Sequence, residues 1–234
     1  MLMTKNSDHI QLKNINFKVN KKLFFKNINI NLSSTGITVI LGPNGSGKSL
    51  LTKIIKGLIE PDSGDLSIKL NNTKPLSSYL SQDIVFFRRD VFSNLAYPMK
   101  INGHSKNSIL RRINFLLDHF EFKNVKGSAR RLSEGNKQYL AFIRALVNKP
   151  KLLILDEPSS NLDMNYTKKI EDYLIRNKED IKIIMVTHDI FQAKRLADEI
   201  LFMNNGEVIE ISKKMNFLKS KNILVKKFLS GSFF

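Results

Sequence analysis

The order of apolar and polar positions changes character twice along the chain. Residues 10–19 and 24–32 carry apolar side chains at alternate positions, as in Ile28, Ile30 and Leu32. That period of two predicts half-buried strands. Residues 37–41 form a short apolar run, as expected of a strand covered on both faces. The spacing of Leu50, Ile54 and Leu58 then predicts a helix, and Pro61, Asp62, Ser63 and Gly64 predict a turn. From about 90 to 148 helical signals replace strand signals, with Ile109, Ile113, Leu116, Leu117 and Phe120 on one face. From 151 onward strands and helices alternate again, the strands drawn from KLLILDEP, IKIIMVTHD and EILFMNNGEVIE. This order predicts an α/β fold with a largely parallel sheet, an antiparallel β layer at the N-terminus and an inserted helical subdomain. It divides one domain, residues 1–234, into a core of 1–88 and 149–210, a helical subdomain at 89–148 and a basic tail at 211–234.

Composition narrows the picture. The chain has 234 residues with 42% hydrophobic and 25% charged, which is globular rather than disordered. Cysteine is absent, so disulfides, thiolate metal sites and cysteine nucleophiles are excluded. No apolar run approaches the roughly 18–20 residues of a membrane span, and the first residues hold no apolar segment of the kind expected of a signal peptide. A cytoplasmic protein is expected. The net charge of +17 invites nucleic acid or an anionic membrane as partner. Lys far outnumbers Arg, and the charge is spread over the whole chain, so compositional bias explains it better than a phosphate track.

Candidate chemistry begins at Gly42-Pro43-Asn44-Gly45-Ser46-Gly47-Lys48-Ser49, followed by Leu50, which fits G-x-x-x-x-G-K-[ST] without a mismatch. Glycines let backbone N–H groups turn toward phosphate oxygens, and the helix that follows aims its positive end at the same place. Lys48 adds a point charge, and Ser49 offers a hydroxyl to Mg²⁺. Further on, Leu152 to Leu155 run straight into Asp156 and Glu157. A buried strand ending in two acids needs a cation or a proton nearby. Alternate side-chain directions separate the roles. Asp156 is placed to hold Mg²⁺, and Glu157 to activate a water.

Read together with Gln82 after a short strand, Leu132-Ser133-Glu134-Gly135-Asn136-Lys137-Gln138 at a helix start, Ser160-Asn161-Leu162-Asp163 and Thr187-His188-Asp189, these motifs resemble the nucleotide-binding subunit of ATP-binding cassette (ABC) transporters. The resemblance covers about residues 10–210. It implies ATP and Mg²⁺ as cofactors, with Ser49, Gln82 and Asp156 at the metal and Lys48, Glu157 and His188 at the chemistry. It implies that Ser133 and Gly135 close on the γ-phosphate held by a second copy, and that Asp163 crosses between the copies. Ile84 to Phe87 are expected near the surface that meets a permease, with the interior as the equal alternative. The chain departs from the family at Glu134 and Asn136, and at Tyr139, where an arginine is common. Glu134 is expected to face solvent. The adenine slot falls on Val19, with Phe17 two positions away as the aromatic alternative and Phe24 and Phe25 read as core.

The partners so implied are a second copy of this chain, an integral membrane permease and a solute-binding protein, with no nucleic acid. The chain would sit peripherally at the inner face of the cell membrane. Two stretches, ILGPNGSGKSLLTKIIKGL and FFRRDVFSNL, resemble subunits of tungstate-type oxyanion importers. The basic tail is read as a solvated helix, with a helix lying on an anionic bilayer as the alternative. A nucleic-acid-associated ABC ATPase and a small-molecule P-loop kinase remain as rival readings. The stretch between Gln82 and Ser133 is too short for the long coiled coil of the first, and the second has no use for Ser133, Gly135 or His188.

Overall fold

The computed structural model describes residues 8–123 and 127–231. Strands β1 (His9–Val19), β2 (Lys22–Leu32) and β3 (Ile37–Leu41) come first, then helix α1 (Lys48–Lys56) and strands β4 (Ser63–Lys69) and β5 (Ser77–Leu80). Helices α2 (Val91–Ile101), α3 (Lys106–His119) and α4 (Glu134–Leu146) follow. The rest runs β6 (Leu152–Asp156), α5 (Met164–Asn177), β7 (Lys182–Val186), α6 (Ile190–Leu196), β8 (Glu199–Asn204), β9 (Glu207–Lys213), α7 (Lys214–Phe217) and α8 (Ile223–Leu229).

Two sheets result, an antiparallel one of order β2-β1-β4 and a mixed one of order β5-β6-β7-β3-β8-β9. Strands β5, β6, β7, β3 and β8 are parallel, and β9 returns antiparallel at the edge. Every residue of β3, β6 and β7 is buried. Their side chains alternate between two cores, as the pleat requires. Val39, Leu153, Leu155, Ile183 and Met185 join the helical layer. Ile40, Leu152, Ile154, Ile184 and Val186 face α1 and the antiparallel sheet. The strand pairing aligns Val186 with both Asp156 and Ile40. The ends of β6, β7 and β3 therefore lie side by side, and whatever follows each strand emerges on one edge.

Three local expectations need correction. Ser63 and Gly64 open β4 instead of closing a turn. At Gly64, φ is +101° and a Cβ would lie 2.5 Å from the Asn14 carbonyl oxygen, so the strand passes a bulge in β1 only as glycine. Helix α1 ends at Lys56, with left-handed Gly57 as its cap. It buries Leu51, Ile54 and Ile55, and leaves Leu58 exposed. The expected basic tail at 211 begins inside β9. Phe217, Val225 and Phe228 are buried in the helical core, with the Phe228 ring 5.0 Å from Phe202. The helices α7 and α8 are therefore anchored through these residues, with Lys221, Lys226 and Lys227 exposed. Residues 232–234 of that tail lie outside the described residues.

Candidate functional site

The loop between β3 and α1 is built by backbone conformations that side chains resist. At Gly42 a Cβ would sit 2.1 Å from the Met203 carbonyl oxygen, and at Gly47 (φ +100°) it would sit 2.7 Å from ring atoms of Phe24 and Phe25. Gly47 caps α1 without any side-chain acceptor, and no acid lies in the first turn. The first N–H groups of α1 and its positive end are thus left for an anion. Lys48 donates to the carbonyls of Gly42 (2.9 Å) and Pro43 (2.8 Å), which drapes its ammonium over the loop. Burial lowers its proton affinity, and the Glu157 and Asp156 carboxylates push the other way. Ser46 Oγ, inside the cradle, is buried without a protein partner.

Ser49 and Asp156 meet directly. Ser49 Oγ donates to Asp156 Oδ1 at 3.0 Å, and the Tyr79 hydroxyl donates to Oδ2 at 3.2 Å. Asp156 is 1% exposed. A buried carboxylate satisfied only by hydroxyl donors, beside a phosphate cradle, is a hard oxygen set that suits Mg²⁺. Gln82 lines the same cleft. Burial, with the neighbouring Asp156 charge adding to it, pushes the Tyr79 phenol up to about 12, against a hydrogen bond from Thr52, so it stays a donor.

Glu157 does not continue the strand. Its φ is +52°, a left-handed value that is uncommon for a side chain of this kind. Its N–H donates to the Val186 carbonyl at 3.1 Å, and its carbonyl accepts from Gln138 Nε2 of α4 at 2.9 Å. The kink turns the carboxylate into the cleft, where Oε1 lies 2.8 Å from His188 Nδ1. The two carboxylates therefore point apart through a backbone turn and not through strand alternation.

The cleft has a volume of about 500 Å³. It brings together Val19, Asn44, Gly45, Gly47, Lys48, Ser49, Leu50, Gln82, Glu157 and His188. Phe24, Ser160 and Val186 line it too. Phe24 packs on the core as expected and lines the cleft as well. Phe17, the aromatic alternative, packs on the core beside the antiparallel sheet. Bulges between Phe17 and Lys18 break the alternation that would have placed it with Val19. The tandem Phe24-Phe25 carried the missed signal, since both rings reach Gly47 of the phosphate loop and Phe24 also lines the cleft.

Ser133, Gly135 and Asp163 do not line this cleft. Ser133 caps α4 and is exposed, and Asp163 caps α5. A Cβ on Gly135 would lie 2.9 Å from the Asn161 carbonyl oxygen, so the helix tip and the loop before Asp163 are adjacent. Glu134 faces solvent as expected, paired with Lys137 at 2.7 Å. Beyond Gln82 the apolar run divides. Phe86 is buried, Ile84 is partly buried against the core, and Val85 and Phe87 are exposed. Asn94 of α2 holds this loop through bonds to Phe87, Arg89 and Asp90.

Comparison with known proteins agrees with this geometry. Residues 25–160 match the family described as ABC transporter. The chain is 36% identical over 214 residues to the sulfate/thiosulfate import ATP-binding protein CysA of Mesostigma viride, covering 87% of this chain and 62% of that one. It is 35% identical to the tungstate uptake system ATP-binding protein TupC of Peptoclostridium acidaminophilum, covering 77% of this chain and 87% of the other. With the phosphate import ATP-binding protein PstB of Saccharolobus solfataricus it shares 30% identity over 96% of both chains. Among solved structures, an ATP-binding subunit of an ABC transporter superposes with a TM-score of 0.83 at 21% identity, covering 96% of this chain and 99% of that one. A dimeric ATP-binding cassette in a post-hydrolysis state, bound to ADP and phosphate, superposes with a TM-score of 0.77 at 25% identity, covering 87% and 98%.

The chain belongs to the ABC transporter family. Within it, this is an ATP-binding ATPase subunit of the import type.

Proposed function

We propose that two copies of this chain close face to face over two ATP molecules and that hydrolysis at the shared sites drives solute import through a separate permease. The observation that carries the reading is the split of the site. Lys48, Ser49, Glu157 and His188 line one cleft, with Asp156 bonded to Ser49 behind it, while Ser133, Gly135 and Asp163 lie outside it, the two capping residues exposed and Gly135 half-buried against the Asn161 carbonyl. A helix start whose capping Ser133 still has its hydroxyl proton to donate suits an anion, and the phosphates bound by a second copy would supply one. The dimeric form of the related cassette supports the pairing.

In this reading the glycine loop and Lys48 hold the phosphates. Ser49 and Asp156, with Gln82, would hold Mg²⁺, which would supply positive charge to offset that of the phosphates. Water attacks the γ-phosphorus, the bond to the β-phosphate bridging oxygen breaks, and Glu157 accepts the proton the water loses. His188, bonded to the Glu157 carboxylate on the cleft wall, is the proposed partner of a γ-phosphate oxygen. Phe24 and Val19 form the apolar wall for the adenine. ATP binds the closed pair better than the open one, and this difference couples hydrolysis to motion.

Among the described residues no helix is long and apolar enough to cross a membrane. The chain is placed at the inner membrane face through its permease, with a solute-binding protein completing the complex. The exposed Val85 and Phe87, beside Gln82, are the proposed permease contact. A small oxyanion such as tungstate is the proposed cargo, supported by the sulfate, tungstate and phosphate relatives. Relatives named for spermidine/putrescine and methionine import match at 31% and 35% identity, which fits a cargo chosen by the permease and not by this subunit. The test is ATP turnover against protein concentration. A specific activity that rises with concentration to a plateau supports the paired site, and one independent of concentration down to the most dilute protein, with only single copies in sedimentation, contradicts it.

A further inference from the structure

Two departures from the family signature, Asn136 and Tyr139, meet the same side chain. Tyr166, in the first turn of α5, donates its hydroxyl to Asn136 Oδ1 at 3.3 Å. Its ring stacks on the Tyr139 ring with centroids 4.1 Å apart and planes 18° from parallel. Tyr139 is fully buried and donates its own hydroxyl to the Phe120 carbonyl at 2.9 Å, so the platform under Tyr166 is fixed. The backbone of Tyr166 is held as well, its N–H donating to Asp163 Oδ1 at 2.9 Å.

The consequence falls on Ser133. Its Oγ accepts from Asn136 Nδ2 at 2.9 Å and from the Asn136 backbone N–H at 3.4 Å. A hydroxyl has two lone pairs and one proton. With both lone pairs turned toward Asn136, the proton is left for an acceptor beyond the helix tip. In this orientation Oδ1 of the Asn136 amide takes the Tyr166 proton and Nδ2 faces Ser133.

We propose that Tyr166 is a positioning residue that acts through Asn136 to aim the Ser133 O–H at the γ-phosphate held by the other copy. The inference rests on the two-copy reading above. It adds a role for a residue outside the motifs, and it ties the Asp163 loop to the helix tip within one copy. It also explains why asparagine serves at position 136: a side chain of this length reaches both Ser133 and Tyr166.

Tyr166→Phe removes the hydroxyl and keeps the ring stack. The experiment measures ATP-driven dimerisation of the Glu157→Gln protein by sedimentation, with ATP affinity of single copies and melting temperature alongside. Tyr166→Phe should weaken the dimer about 2- to 10-fold, the worth of one hydrogen bond, and leave single-copy ATP affinity and melting unchanged. In an Asn136→Ala background the same substitution should have no further effect. Unchanged dimerisation, or an equal loss in both backgrounds, overturns the inference and leaves the two-copy reading intact. If the Glu157→Gln protein with Tyr166 in place does not dimerise with ATP, the two-copy reading itself fails and takes this inference with it.

Discussion

Glu157 Oε1 and His188 Nδ1 lie 2.8 Å apart at the ends of neighbouring parallel strands. The pair is set by backbone on both sides. The left-handed Glu157 is pinned through its carbonyl by Gln138 and through its N–H by Val186. If Nδ1 donates to the carboxylate, His188 keeps Nε2 for a phosphate oxygen, and it must carry a proton there to bond it. Glu157→Gln should keep this geometry and lose the proton acceptor. Turnover should fall about 10²- to 10⁴-fold, with ATP affinity within a few-fold of the unaltered protein. Parallel assays of phosphate release and nucleotide binding check both halves. Equal loss of binding would assign Glu157 to the cradle rather than to the chemistry.

Phe24 faces the cleft while its neighbour Phe25 is buried. A base stacked on an aromatic ring is worth about 1–3 kcal/mol. Phe24→Ala should weaken ATP by about that amount and leave inorganic tripolyphosphate binding unchanged, since the phosphates are held elsewhere. Val19→Tyr should tighten ATP about tenfold, by adding a second ring to the wall. Titration with both ligands separates base stacking from damage to the loop, which would weaken both.

Gly45 and Gly47 allow a test of space against backbone conformation. Both have positive φ, +76° and +100°. A Cβ at Gly45 meets nothing within 4 Å, whereas at Gly47 it would strike the Phe24 and Phe25 rings at 2.7 Å. Gly45→Ala should cost roughly 1 kcal/mol of stability, the strain of left-handed backbone. Gly47→Ala should cost roughly 1–3 kcal/mol more through overpacking and abolish measurable ATP binding. Urea unfolding curves of the two variants give the comparison directly.

Lys182 carries a separate pH signature, far from the cleft. Its ammonium donates to Thr38 Oγ1 at 2.6 Å and to the Thr35 carbonyl at 3.1 Å. Burial drops its pKa to about 8, against the pull of Glu199 and Asp198. Between about 8 and the ordinary lysine value the unfolded chain binds the extra proton, so the contribution of Lys182 to stability rises with pH there. The cost of burying the charge is fully present below pH 8. Relative to Lys182→Met, the unaltered protein should gain on the order of 2 kcal/mol between pH 7 and pH 10. Denaturant midpoints of both proteins at the two pH values provide the check, and parallel pH dependences would refute the assignment.

The sequence was most legible where one physical demand dominates. Runs such as Ile183 to Val186 can only be covered strands, and the loop at Gly42–Ser49 has one chemistry. It was least legible where tertiary contacts decide. Helix α1 shows this, since Leu51 and Ile55 face the sheet and Leu58 does not. The chain beyond 210 looked like a solvated tail because lysines outnumber its buried anchors, yet Phe217 and Phe228 pack beside Phe202. Tyr79 and Tyr166 lie in no motif, and Gln138 closes one without its role being readable there. Each matters for the partner it reaches, Asp156, Glu157 and Asn136, and only the packing of separate elements supplies those partners.

The central claim is that each ATP is shared between the loop of one copy and the Ser133 tip of the other. Mixing two defective proteins tests it most directly. Lys48→Ala spoils the cradle and keeps the tip, and Ser133→Arg spoils the tip and keeps the cradle. Each protein should be inactive when assayed separately, and the mixture should regain ATP hydrolysis, because one site in each mixed pair is whole. A mixture as silent as its parts, or a Ser133→Arg protein that hydrolyses ATP by itself at the unaltered rate, would contradict the shared site.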